Sequence, residues 1–129
     1  MPVFTRIKHD VLVLTADGDY TAGELERVGA RALASAEAAA PLLLDLSGAA
    51  GLEGKDADEI AAAGRAIAGL AAHVTRLAVV VGSRHAPRFD GDSDFARAAG
   101  VPTRACTSYA DALAWLGESA AADPRAATG

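Results

Sequence analysis

The sequence predicts an α/β fold: one domain built on a mainly parallel five-stranded sheet, element order ββαβαβαβα, with an antiparallel edge strand at the N-terminus. Three observations carry this. Short apolar runs alternate with longer stretches of helical period. Three of those stretches open on a hydroxyl or carboxylate cap followed three residues later by an acid. The first two strands are joined by too short a connection for a crossover, so they form a hairpin.

Val3-Phe4-Thr5-Arg6-Ile7 alternates apolar and polar side chains, the pattern of a half-buried strand. Lys8-His9-Asp10 turns the chain into Val11-Leu12-Val13-Leu14, and Asp17-Gly18-Asp19 closes that strand with turn residues. Thr21 and Glu24 then mark the start of a first helix, with Leu25, Val28, Ala32 and Ala36 as its apolar stripe and Leu33 at the edge. Beyond Pro41, Leu42-Leu43-Leu44-Asp45-Leu46 reads as a strand covered on both faces. A loop carrying Gly48, Gly51 and Gly54 leads to Asp56 and Glu59, the cap of a second helix whose buried face is Ile60, Ala63, Gly64, Ile67 and Leu70. Gly64 and Gly69 weaken a helix, and close approach to the sheet would explain them. Leu77-Ala78-Val79-Val80-Val81 is the fourth strand. A short helix from Ser93 to Ala99 stops at Gly100, and Val101 to Cys106 is the fifth strand. Ser108 and Asp111 cap a last helix with Tyr109, Leu113 and Leu116 inward. Gly117 should end that helix, which makes 1–117 the domain and 118–129 a disordered tail.

Composition narrows the function. The 129 residues are 51% hydrophobic and 22% charged, which is globular and not disordered. A net charge of −5 argues against nucleic acid, since Arg84-His85-Ala86-Pro87-Arg88 is the one dense basic stretch and Asp90, Asp92 and Asp94 follow it. No apolar run approaches the ~18 residues of a membrane span. The start of the chain lacks the pattern of a secretory signal, and the single Cys106 has no partner for an internal disulfide. The expected address is the cytoplasm.

The element order, together with Leu42-Leu43-Leu44-Asp45-Leu46-Ser47-Gly48 and the C-terminal Asp111-Ala112-Leu113-Ala114-Trp115-Leu116, resembles the STAS family (sulphate transporter and anti-sigma-factor antagonist) in its SpoIIAA-like branch, which is sometimes grouped with SEC14-type lipid-binding domains. The resemblance spans roughly residues 3 to 117. It implies a SpoIIAA-like sheet and a role in recognising partners. Anti-sigma-factor antagonists of the family carry a phosphorylatable serine at the start of the second helix, in an Asp-Ser-Ser-Gly turn. Counting from Asp45-Leu46-Ser47-Gly48, that turn falls on Glu53-Gly54-Lys55-Asp56, where no hydroxyl stands. The resemblance therefore does not carry the phosphoswitch to this chain.

Residue chemistry offers little else. Gly48, Gly51 and Gly54 match neither a dinucleotide fingerprint nor a phosphate-binding loop. Asp45 with Asp17 and Asp19 lacks the paired acids and downstream Lys of a phosphoacceptor pocket. His9, His73, His85 and Cys106 lie near different elements, so no metal site is expected, and Ser47 lacks a nucleophile elbow. Neither a catalytic residue nor a cofactor is assigned. Arg84, His85 and Arg88 remain the best polar cluster, suited to clamping a phosphate or carboxylate, against the plainer reading of a solvated loop neutralised by the following aspartates. Three functions stay open: a non-enzymatic interaction module in bacterial regulation, acting alone or as a homodimer on an unidentified protein; a domain binding a small apolar or anionic ligand or a lipid; and an enzyme using the loops at the strand tips. A continuous apolar cavity under the second and third helices would favour the ligand-binding domain.

Overall fold

The computed structural model describes residues 3–8, 11–18, 21–34, 39–49 and 54–122. The strands are β1 (Val3–Lys8), β2 (Val11–Gly18), β3 (Ala40–Ala49), β4 (Val74–Val80) and β5 (Thr103–Cys106). The helices are α1 (Ala22–Leu33), α2 (Ala57–Ala68), α3 (Asp94–Ala99) and α4 (Tyr109–Ala122), with single 3-10 turns at Ala71–His73 and Ala86–Arg88. The sheet runs β1-β2-β3-β4-β5 in chain order. β1 is antiparallel to β2, and every other neighbour pair is parallel. This is the predicted architecture.

Sequential strand order decides where the helices go. Each β-α-β crossover steps in the same direction, and right-handed connections then place α1, α2 and α3 on one face. Leu25, Leu33, Ile60, Ile67 and Phe95 accordingly pack with Leu12, Leu14, Leu42, Leu44, Leu77 and Val79 in one apolar layer. The helix α4 follows the last strand and makes no crossover, so it is free to cover the opposite face. There Ala112 and Leu116 meet Val11, Val13, Leu43, Ala78 and Val80. Leu42, Leu43, Leu44 and Leu46 are buried from both sides, as their unbroken apolar run implies.

The helix starts are those the capping residues announce. The side chains of Thr21, Asp56 and Ser93 accept the amides of Glu24, Glu59 and Ala96, and Ser108 Oγ accepts the Asp111 amide at 3.1 Å. Gly100 ends α3 in the left-handed conformation, φ 74°.

Several expectations are corrected. The buried side of α1 is Leu25, Gly29 and Leu33, a face rotated from the predicted stripe; Val28 and Ala32 are only half-buried, and Ala36 lies outside the described residues. Gly64 does serve close approach, but to α3 and not to the sheet: a Cβ there would stand 2.5 Å from the Phe95 carbonyl oxygen. Gly69 is the exposed C-cap of α2, which ends at Ala68, with Leu70 beyond it. β5 begins at Thr103, because Pro102 has no amide to offer the ladder and contributes its carbonyl to Leu77 N instead, at 2.8 Å. Gly117 does not end α4, which continues to Ala122. Only 123–129 of the expected tail lies outside the described residues. On the α4 face Leu116 is fully buried as expected, but its fully buried companion is Ala112, while Leu113 and Tyr109 are half-buried.

Candidate functional site

In a parallel sheet the loops after the carboxyl ends of the strands are the natural binding region, and here the segments after β3 and β4 are bound to one another. The chain leaves β4 and winds into a compact turn, with the amides of His85 and Ala86 both donating to the Gly82 carbonyl, at 2.9 and 3.1 Å. The turn at Ala86–Arg88 follows, with Pro87 at its start. Phe89 then enters the core, fully buried, and meets Phe95 edge to face at 4.9 Å between ring centroids. That aromatic plug fixes where Arg88 stands. The Arg88 guanidinium donates to the main-chain carbonyl of Lys55, at the entry to α2.

Lys55 itself is well enclosed, its side chain only 13% exposed, with Nζ 3.9 Å from Glu59 Oε2 one turn along the helix. A cation at a helix start opposes the macrodipole. Asp56, Asp58 and Glu59 in the cap and first turn offset it. The position that the resemblance equates with the phosphorylated serine is thus filled by a held lysine. Gly54 and Asp56 beside it are exposed, and Glu53 lies outside the described residues.

The predicted anion trio is placed as follows. Arg84 is exposed at the turn after β4, His85 is half-buried, and Arg88 is half-buried on the Lys55 carbonyl. Arg88 lines a groove of about 340 Å³ with Ala57, Ile60, Pro87, Phe95 and Arg97; Arg84 and His85 are not among its described lining residues. The neighbouring aspartates have their own work. Asp90 Oδ1 accepts the Ala105 amide of β5 at 3.2 Å, and Asp94 pairs with Arg97 at 2.6 Å.

The family-like phrase at β3 also has a local explanation. Asp45 Oδ1 accepts both the amide and the hydroxyl of Ser47, at 3.0 and 2.6 Å. Asp45 and Thr15 are partners in register on the face that α4 covers elsewhere, and both are half-buried. With Phe4, Thr5 and Arg6 they line a groove of about 280 Å³. Sequence reasoning did not single out Phe4 or Arg6, because their meeting with Asp45 exists only once the sheet is assembled. A larger groove of about 480 Å³ lies between β5 and α4, lined by Arg104, Cys106, Thr107, Asp111 and Trp115. There Arg76 stacks on the Trp115 ring at 4.1 Å and donates to the Trp115 carbonyl at 3.1 Å. Trp115 therefore covers an edge of the core. Burial pushes the Cys106 thiol above its ordinary value; Arg104 pulls the other way, and Asp111 and Asp90 add to the rise. Among the described residues no group of three or more His, Cys, Asp or Glu is placed to hold a metal, and none of the described helices is long and apolar enough to cross a membrane.

The sheet order, the N-terminal hairpin and the helices interleaved between parallel strands define a SpoIIAA-like fold. A solved structure with that fold is similar: an uncharacterised protein from the DUF3478 family of Shewanella loihica PV-4, with a TM-score of 0.56 and 16% sequence identity over 88% of this chain and 91% of that one. No protein-family profile matches the sequence, and no curated protein matches it.

Proposed function

We propose that the protein is a non-enzymatic recognition module that docks a protein partner on the surface formed by the start of α2, the turn after β4 and the start of α3, without a phosphoserine switch. The observation that carries this is the Arg88–Lys55 bridge. It ties two loops at the carboxyl ends of β3 and β4 into one fixed surface, at the place where a SpoIIAA-like antagonist would carry its modifiable hydroxyl. Close packing beneath α2 and α3 supports a protein partner over a lipid or small apolar ligand. Phe89 and Phe95 fill that layer, and Gly64 lets the two helices touch. A bacterial cytoplasmic setting belongs to the same proposal and rests on the sequence, with its single, buried cysteine.

The test is site-specific photo-crosslinking in the cell that makes the protein. A photoreactive residue at Ala57 or Asp92, both exposed on this surface, should give one discrete protein adduct. The same residue at exposed Arg31 on α1 should give none. Equal labelling from all three positions, or none from the first two, would overturn the proposal.

A further inference from the structure

The two edges of the sheet are treated differently. At β5, Asp90 caps the outward amide of Ala105, and Gly91 lies so close to the Thr103 carbonyl that a Cβ would come within 3.3 Å of it. That edge is covered. β1 is the other terminal strand and pairs with β2, and Phe4, Thr5, Arg6 and Ile7 along it are all exposed. Among the described residues the large exposed hydrophobic side chains are Phe4, at 49%, and Ile7, at 76%. Both belong to this strand, one on each face. An open edge with apolar side chains is a template for another strand.

We infer that β1 pairs antiparallel with β1 of a second copy, across a twofold axis through Thr5, so that two sheets become one. A twofold axis perpendicular to the sheet keeps each face on its own side, so the axis must pass through a residue and not between two. An axis at Arg6 stacks two like charges. An axis at Phe4 pairs the two rings but leaves Ile7 beyond the described start of the partner strand. At Thr5, Val3 lies opposite Ile7 and Phe4 opposite Arg6. Ile7 then extends the apolar layer that Val3 already belongs to. The Arg6 guanidinium stands 5.3 Å from the Tyr109 ring centroid, and in this register it gains a second aromatic ring. Each copy uses its open edge once and its other edge is covered, so the assembly closes as a dimer and does not grow into a filament. The pairing is independent of the partner surface at α2 and α3, which lies toward the covered edge.

The test is disulfide trapping together with sedimentation of the full chain. Facing Cα atoms in an antiparallel pair are about 4.5 or 5.5 Å apart, and both separations suit a disulfide. Thr5→Cys should therefore crosslink to itself under mild oxidation at least about tenfold faster than Phe4→Cys, whose twofold mate is Arg6 in this register. Wild type, with Cys106 buried, should not crosslink. Ile7→Glu changes a side chain exposed in the single copy, so it should fold normally while weakening dimerisation by at least about tenfold. A wild type that sediments as a monomer at micromolar concentrations would overturn the inference. So would Phe4→Cys crosslinking faster than Thr5→Cys, or an Ile7→Glu variant that dimerises unchanged.

Discussion

Gly64 and Gly29 are both buried within helices, yet they should respond differently to the same substitution. A Cβ on Gly64 would meet the Phe95 backbone oxygen at 2.5 Å and the Ala98 Cβ at 3.0 Å, neither of which can swing away. A Cβ on Gly29 would meet the end of the Leu70 side chain at 2.6 Å, which can rotate. Replacing Gly by Ala stabilises a helix interior by about 1 kcal/mol, while overpacking costs about 1–3 kcal/mol. Gly64→Ala should therefore lose up to about 2 kcal/mol in urea unfolding, and Gly29→Ala should stay within about 1 kcal/mol of wild type. The two arginines after β4 should also divide. Arg84 is exposed, and its replacement by Ala should change stability by no more than about 0.5 kcal/mol. Arg88→Ala removes the donor to the Lys55 carbonyl and should cost about 1–2 kcal/mol. Cys106, with its thiol held protonated by burial, should react slowly with a thiol reagent in the folded state at neutral pH. The sign of its linkage follows: the contribution to stability is complete below the free-thiol value of about 8.5. It is lost as pH rises through the higher folded value, because the unfolded chain ionises first. Urea midpoints for wild type and Cys106→Ala should converge in that alkaline range.

Helix starts were readable because a cap is a local device: Thr21 with Glu24 and Asp56 with Glu59 need only a few residues to act. Asp56→Ala should accordingly cost about 1 kcal/mol in urea unfolding, the usual loss for an N-cap. Helix ends were less readable, because a glycine does not by itself end a helix. Gly100 turns left-handed and ends α3, at φ 74°, whereas Gly117 stays within α4 and is simply a weak helical residue. The α1 stripe was misplaced for a related reason. Gly29 has no side chain to register as apolar, yet it is the point where the helix meets Leu70. Pro41 marked the start of a strand correctly but hid its first residue. β3 already begins at Ala40, and its pairing with β4 shifts between Ala40 and Leu42, where the proline cannot donate.

The alternation of strands and helices stood in the sequence, and the sequential strand order was implied there by the resemblance; helix placement follows from that order and the handedness of the crossovers. The polar groupings did not stand in the sequence, because their members come from separate elements. Asp45, Thr15 and Phe4 meet across three strands, and Arg88 reaches Lys55, 33 residues away in the chain, from beside the buried Phe89. The same assembly packs Phe89 and Phe95 into the interior and leaves the proposed partner surface outside. Native mass spectrometry of freshly purified protein tests that account most directly. The expected spectrum contains the bare polypeptide or a whole multiple of it, because Phe89, Phe95 and their neighbours pack the layer beneath α2 and α3. A constant extra mass on each chain that survives purification, and is released only on unfolding, would mean that the protein carries a small molecule and would contradict the account.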